Sequence, residues 1–137
     1  MLIIVWWFSY NLLIMSALII PVYIKSQWDV DCLNRLLNSV QLQTFKFERV
    51  YLIDDASPFH YELRFDFIEH IRLPDNGGPA RARNIGINKA AEVGIQNLLF
   101  TDHDCILDKE WNEAMSSFLD KDEFAAVGGM TFSNGKT

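Results

Sequence analysis

The sequence predicts an α/β fold, a mainly parallel, Rossmann-like sheet with helices on both faces. Three observations carry this reading. Short apolar runs bounded by turn residues recur along the chain. Helical patterns separate them, so strands and helices alternate. The strand runs are apolar throughout, as expected where both faces of a sheet are covered.

The strands read as Ala17–Val22, Arg49–Ile53, Phe67–Leu73 and Asn97–Thr101, with a fifth over Ala125–Phe132. Between the first two, Leu33, Leu36, Leu37 and Val40 form an amphipathic stripe at helical spacing. Ser26 and Asp29 stand ahead of it with the spacing of a capping box. A second helix runs from Pro79, which suits a first helical position, to about Val93, where Gly94 suits the stop. A third presents Trp111, Ala114, Met115, Phe118 and Leu119 on one face, with Asp108 as its cap. Residues 56–66 fit a loop or a short helix. No repeat or low-complexity tract interrupts the series.

At 137 residues the chain has the size of one domain. Half of it is hydrophobic, enough for a core, and 22% is charged, which argues against disorder. The net charge of −6 and the lack of a basic stripe argue against a nucleic-acid partner, because neutralising phosphates needs clustered Lys and Arg. Cys32 and Cys105 lack the spacing of a zinc site or a disulfide framework, so a reducing cytoplasm is the default. Residues 1–20 carry no charge. If Ala17–Val22 is a strand, the preceding residues reach only ~22 Å as a helix, short of a ~30 Å hydrocarbon core. The division expected is therefore an apolar extension over 1–15, either a start-site artefact ahead of Met15 or a membrane-facing segment, and a domain over 16–137.

Ligands of open α/β sheets bind beyond the carboxyl ends of the strands. Four strand ends here lead into distinctive segments: Pro21-Val22-Tyr23, Asp54-Asp55-Ala56-Ser57, Asp75-Asn76-Gly77-Gly78-Pro79 and Asp102-His103-Asp104. Asp102 and Asp104, one residue apart on a turn, can approach one hard cation such as Mg²⁺ or Mn²⁺, or can belong to a solvated turn. Asp54 and Asp55 are adjacent and must diverge; one can cap a turn while the other accepts hydrogen bonds from a ligand. The glycines ahead of the second helix let backbone approach an anion at a helix N-terminus. Arg81 and Arg83 stand in its first turns, where their charge opposes the dipole by about 0.3–1 kcal/mol unless an anion offsets it.

Other chemistries find no support. The tail Gly129–Thr137 resembles a phosphate-binding P-loop, but Met130 falls where a glycine is required. No G-x-G-x-x-G follows a strand, and no G-x-S-x-G elbow is present. His60, His70 and His103 do not form a ligand cluster. A nucleotidyltransferase would need a Gly- and Arg-rich loop after the first strand, where PVYIKSQW stands.

Read together, the segments resemble the inverting family 2 glycosyltransferases of GT-A fold. ALIIPVY resembles the family's opening strand, LLNSVQLQTF its first helix and the Gln-Thr that follows, VYLIDDASP its second strand and acidic turn, NGGPARARNIGINKA its glycine-to-helix segment, and LLFTDHD its D-x-D motif. The match runs in order over about residues 16–132.

The resemblance implies a nucleotide-diphosphate sugar donor, most often UDP-linked, a divalent Mn²⁺ or Mg²⁺, and an acceptor that is a glycan, a lipid or a small molecule. It implies that Tyr23, beside Pro21, lies against the nucleobase. Asp55 would accept a hydrogen bond from the base with Asp54 beside it, and Arg83 would line the nucleotide pocket. Asn76 and Gly77 would be further contacts. Asp102 would face ribose and metal, and Asp104 would ligate the metal. His103 occupies the variable middle position and receives no role. The family's general base lies after the D-x-D strand and helix. The carboxylates that follow here, Asp108, Glu110, Glu113, Asp120, Asp122 and Glu123, fit a solvated helix and turn. The expectation is thus a C-terminally truncated donor-binding half, cytoplasmic or peripheral to the inner face of the plasma membrane. The alternative is a noncatalytic nucleotide-sugar-binding or interaction module.

Overall fold

The computed structural model describes residues 15–119 and 126–132. Its four strands are β1 (Ser16–Val22), β2 (Arg49–Asp54), β3 (Glu69–Arg72) and β4 (Asn97–Phe100), in one sheet of order β3-β2-β1-β4. Every pairing is parallel. The carboxyl ends of the strands therefore share one edge. Three helices accompany them: α1 (Gln27–Gln41), α2 (Pro79–Glu92) and α3 (Trp111–Leu119).

Alternation along the strands makes two cores. Leu18, Ile20 and Val22 of β1 and Val50 and Leu52 of β2 pack with Leu33, Leu36, Leu37 and Val40, the stripe of α1. Ala17, Ile19, Tyr51 and Ile53 point the other way, against Ala82 and Ala90 of α2. Both faces of the sheet are covered, as the unbroken apolar runs of β1 and β2 predict. At the start of α1 the Ser26 hydroxyl accepts from the Asp29 amide at 3.4 Å, and the Asp29 carboxylate accepts from the Lys25 amide at 2.9 Å. This is a variant of the capping box in which the Asp29 carboxylate takes the amide of Lys25, one residue before the cap, instead of the amide of Ser26 itself.

Close approach of α2 to the sheet depends on Gly86. A Cβ there would lie 2.5 Å from Cγ2 and 3.0 Å from Cγ1 of Ile19. Ile19 is fully buried and β-branched, so it has little room to rotate away. Gly86→Ala should therefore destabilise the fold by about 1–3 kcal/mol through overpacking, less up to ~1 kcal/mol gained from helix propensity. Thermal unfolding decides the sign: a raised Tm would mean that propensity governs this site.

Three expectations need correction. β3 is shorter than Phe67–Leu73 and mostly exposed, because it forms an edge of the sheet. Residues 59–67 are loop, one of the two readings the sequence allowed. Phe59, Tyr61, Leu63, Phe65 and Phe67 pack against the α1-side core while His60, Glu62, Arg64 and Asp66 face outward. This period-2 alternation makes an extended strap over the sheet. In α3 the buried residues are Asn112 and Ser116, with Trp111, Met115 and Leu119 packed beside them, whereas Ala114 is exposed. Asn112 draws this face inward: its Oδ1 accepts from Ser16 and Ser116, its Nδ2 donates to the Phe45 carbonyl, and its amide donates to Gln43. The predicted cap is present, with Asp108 Oδ1 accepting from the Glu110 amide at 2.9 Å.

The third correction is the strand expected over Ala125–Phe132. Residues 126–132 carry no strand. Gly128 and Gly129 interrupt them, and Gly129 lies against Met115 and Trp111 of α3. The apolar extension over 1–14 and the carboxylates Asp120, Asp122 and Glu123 lie outside the described residues. Among the described residues no helix is long and apolar enough to cross a membrane.

Candidate functional site

The acidic and glycine-rich segments converge beyond the carboxyl edge of the sheet. Val22 of β1 pairs in register with Asp54 of β2, and Asp54 with Arg72 of β3. Pro21, opposite Ile53, is buried in β1, and Tyr23 leaves the strand 38% exposed.

The two adjacent aspartates diverge to opposite faces. Asp54, fully buried, turns toward the strap. Its Oδ1 accepts from the Ser57 amide at 2.7 Å, and its Oδ2 accepts from the Tyr61 hydroxyl at 3.0 Å and from Arg72 at 2.7 Å. Arg72 also donates to the Ser57 carbonyl. Burial pushes the Asp54 carboxyl up, but these donors outweigh it and hold it below the usual carboxylate value. The same pair acts oppositely on Tyr61: burial, then the Asp54 charge, raises its phenol well above its ordinary value, so it stays a donor. Asp54 stands at the carboxyl end of β2, and its carboxylate is committed to capping the turn and bracing the strap.

Asp55 turns toward α2 and is 3% exposed. Its two oxygens accept from the backbone amides of Gly77 at 2.9 Å and Gly78 at 2.7 Å. Asn76 donates to the Asp55 carbonyl at 3.3 Å. Asp55, Asn76 and Gly77 are thus one unit, fixing the turn ahead of α2. Gly78, which the motif includes but the predicted set omits, completes it. Its φ of +89° is the left-handed conformation that favours glycine. Between the aspartates and Ser57, Ala56 adopts φ 59°. That conformation costs a residue with a Cβ roughly 1–2 kcal/mol. The turn tolerates it because Asp55 donates its amide to Val22 and the Ser57 hydroxyl accepts from Ile24.

The arginines of α2 find their anions within the chain. Arg81 pairs with Asp75 at 2.9 Å, and Arg83 with Asp102 at 2.8 Å. The Asp55 carboxylate stands at the positive end of the helix. The offset expected of a bound anion is therefore supplied by three aspartates.

The turn after β4 is held from both sides. Arg83 reaches Asp102 from α2, and Asp29 of α1 lies 3.4 Å from His103 Nε2. Asp104 is exposed, and among the described residues it forms no ion pair and has one hydrogen-bonding contact, Cys105 Sγ at 4.0 Å. Among the described residues no group of three or more His, Cys, Asp or Glu side chains could hold a metal ion. Two carboxylates are nevertheless a sufficient protein donor set for a cation that completes its shell with phosphate and water.

A cavity of about 340 Å³ lies at the β3 edge, lined by Asp54, Phe59, His60, Tyr61, His70 and Arg72 among others. It opens on the α1 side, since His70 and Arg72 pair with Leu52 and Asp54 of β2. It is distinct from the turn carrying Asp102 and Asp104.

Comparison with known proteins agrees with this arrangement. Residues 17–137 match the model of glycosyl transferase family 2. The chain is similar to the dTDP-rhamnosyl transferase RfbF of Shigella flexneri, 27% identical over 121 residues, covering 86% of this chain and 40% of that protein. It is similar to an uncharacterized glycosyltransferase of Rickettsia felis, 32% identical over 113 residues, covering 79% of this chain and 18% of the relative. In structure it resembles residues 1–349 of S. aureus TarS, with a TM-score of 0.60, and the same region in complex with UDP, with a TM-score of 0.61. Each likeness has 25% identity and covers 77% of this chain and 32% of the neighbour. The chain therefore spans well under half the length of these relatives. The matched family, the parallel sheet and the segments gathered at its carboxyl edge agree: this chain belongs to glycosyl transferase family 2, with a GT-A-like fold.

Proposed function

We propose that this domain binds the nucleoside diphosphate of a sugar donor, with a divalent Mn²⁺ or Mg²⁺ at Asp102 and Asp104, as the donor-binding part of a glycosyltransferase acting on a hydroxyl acceptor. One observation carries the reading. On a family 2 chain, Asp104 stands exposed at the carboxyl edge and, among the described residues, without a charged partner, next to an Asp102 whose second oxygen is outside the Arg83 pair. The UDP complex of TarS and the dTDP-sugar named for RfbF both support a pyrimidine nucleoside diphosphate.

The donor set suits a hard cation, because both groups are carboxylates on one short turn. Bound there, such an ion would supply positive charge to the departing diphosphate. The chain's own residues do the rest. The exposed face of Tyr23 offers a surface on which the base can stack. Asp55 sets the Asn76-Gly77-Gly78 turn, which brings backbone close to the nucleotide. Arg83, about one and a half turns beyond that glycine pair and already at Asp102, carries a fork suited to phosphate oxygens. Asp54 braces the turn from behind.

Calorimetry with UDP and with dTDP tests this. Binding should be tighter with Mn²⁺ than with EDTA, and Asp104→Ala should remove the difference, weakening binding in Mn²⁺ by about tenfold or more. Equal affinity with and without metal, in a folded sample, would sink the reading.

A further inference from the structure

We infer that Asp29 is a positioning residue for the Asp102-His103-Asp104 turn, acting through His103. The inference rests on the proposed metal and nucleotide site, and it concerns how the protein holds that site's exposed carboxylate in place.

The geometry divides the work of Asp29 between its two oxygens. Oδ2 closes the cap of α1, accepting from the Lys25 amide at 2.9 Å and the Ser26 hydroxyl at 3.0 Å. Oδ1 is left to face His103 Nε2 at 3.4 Å. The contact is partly buried, with side-chain exposures of 22% for His103 and 11% for Asp29, so solvent screens it less than it would a surface pair. The cap itself does not need His103. The contact therefore serves the turn.

Consecutive residues of the turn are tied to different helices. Asp102 is held by Arg83 of α2 and His103 by Asp29 of α1, so the ties pull from the two faces of the sheet. Asp104, the next residue, is the one left presented. Further on, the Leu107 amide donates to the Ser39 hydroxyl at 3.0 Å, and Gln43 donates to the Asp108 carbonyl at 2.6 Å. Asp29 and Ser39 are ten residues apart on α1, about 15 Å along its axis. The four backbone steps from His103 to Leu107 span at most ~14 Å. Only the side chains make up the remainder, so the segment has little freedom to slide while both ties hold. Releasing His103 would free the end that carries Asp104. Partners standing behind a metal ligand typically change metal affinity by about 10–100-fold when lost.

The test uses the full chain with UDP, Mn²⁺ and EDTA in calorimetry, alongside thermal unfolding. His103→Ala should weaken Mn²⁺-dependent UDP binding about tenfold while leaving Tm nearly unchanged. His103→Gln, whose amide nitrogen falls close to the position of Nε2, should restore affinity. Asp29→Ala should weaken binding to a similar degree and also lower Tm, because the cap is lost. The Asp29→Ala/His103→Ala double variant should bind no worse than the weaker single variant, as expected of two groups acting as one. Ser26→Ala, which damages the same cap without touching His103, should lower Tm and keep the affinity. Unchanged affinity in His103→Ala, alongside a strong loss in Asp104→Ala, would overturn this inference alone. A loss shared in full by His103→Gln would assign the effect to the imidazole and also overturn it. If UDP binding were independent of Mn²⁺ in the unaltered chain, the site reading would fall and this inference with it.

Discussion

Asp54→Ala is expected to lower stability by roughly 3–5 kcal/mol, because the Ser57 amide and the Tyr61 hydroxyl lose their buried acceptor at about 1–3 kcal/mol each, while the half-exposed Arg72 can turn to water. It removes the acceptor for the Ser57 amide, the Tyr61 hydroxyl and Arg72 in one step. The strap over residues 59–67 would lose its anchor to the sheet at Tyr61. For a domain of this size Tm should fall by more than about 10 °C. The pH dependence has a definite sign. The folded Asp54 carboxyl lies below its ordinary value, so its contribution is fully present above the unfolded value of about 3.9 and disappears as pH falls through the lower folded value. Unfolding followed between about pH 3 and 6 should show the unaltered chain losing stability toward acid and the variant losing less. A Tm within about 3 °C of the unaltered chain would mean that the network is dispensable.

Asp55→Ala should act on binding more than any other single change at the site. Its carboxylate accepts two backbone amides that no other acceptor replaces in the structure. Without it, Gly77 and Gly78 lose the contact that fixes the turn before α2, and Asn76 moves with them. UDP affinity should fall at least ~100-fold, about 2.8 kcal/mol. Asp55→Asn should be nearly as damaging, because the amide's NH₂ would face a backbone N–H donor. Calorimetry of the two variants side by side checks this. An asparagine variant that binds as tightly as the unaltered chain would show that the bidentate contact is not what holds the turn.

Much of this was legible in the sequence, for identifiable reasons. The central strands were found because β1 and most of β2 are buried on both faces, which leaves an apolar run without alternation. α1 and α2 were found because their caps are local: Ser26 with Asp29, and Pro79 after two glycines. The four strand-end segments were found because a parallel sheet brings all its carboxyl ends to one edge. The strap was missed although its signal was present. Phe59, Tyr61, Leu63, Phe65 and Phe67 alternate with polar residues, a strand-like period in a segment that makes no ladder bonds. The orientation of α3 was missed because long-range polar contacts at Asn112 decide it, and these leave no periodic trace. At the site, the commitment of Asp54 to Tyr61 and Arg72 could not be read from spacing, since its partners lie 7 and 18 residues away. Nor could Gly86, whose role depends on which strand α2 covers.

The divergence of Asp54 and Asp55 has a consequence for how this segment can vary over evolutionary time. Two chemically identical neighbours serve as unlike parts only because one is the last residue of a pleated strand and the other is the first beyond it. Substitution can sample each part separately. Insertion or deletion of one residue within Arg49–Ile53 cannot, since shifting the strand by one position exchanges its two faces along the whole length. Such a change would send the brace toward the glycine turn, the turn's acceptor toward the strap, and every core residue of β2 to the wrong core. The strand and its two aspartates are therefore heritable as a unit of fixed length, more tolerant of changed letters than of a changed count.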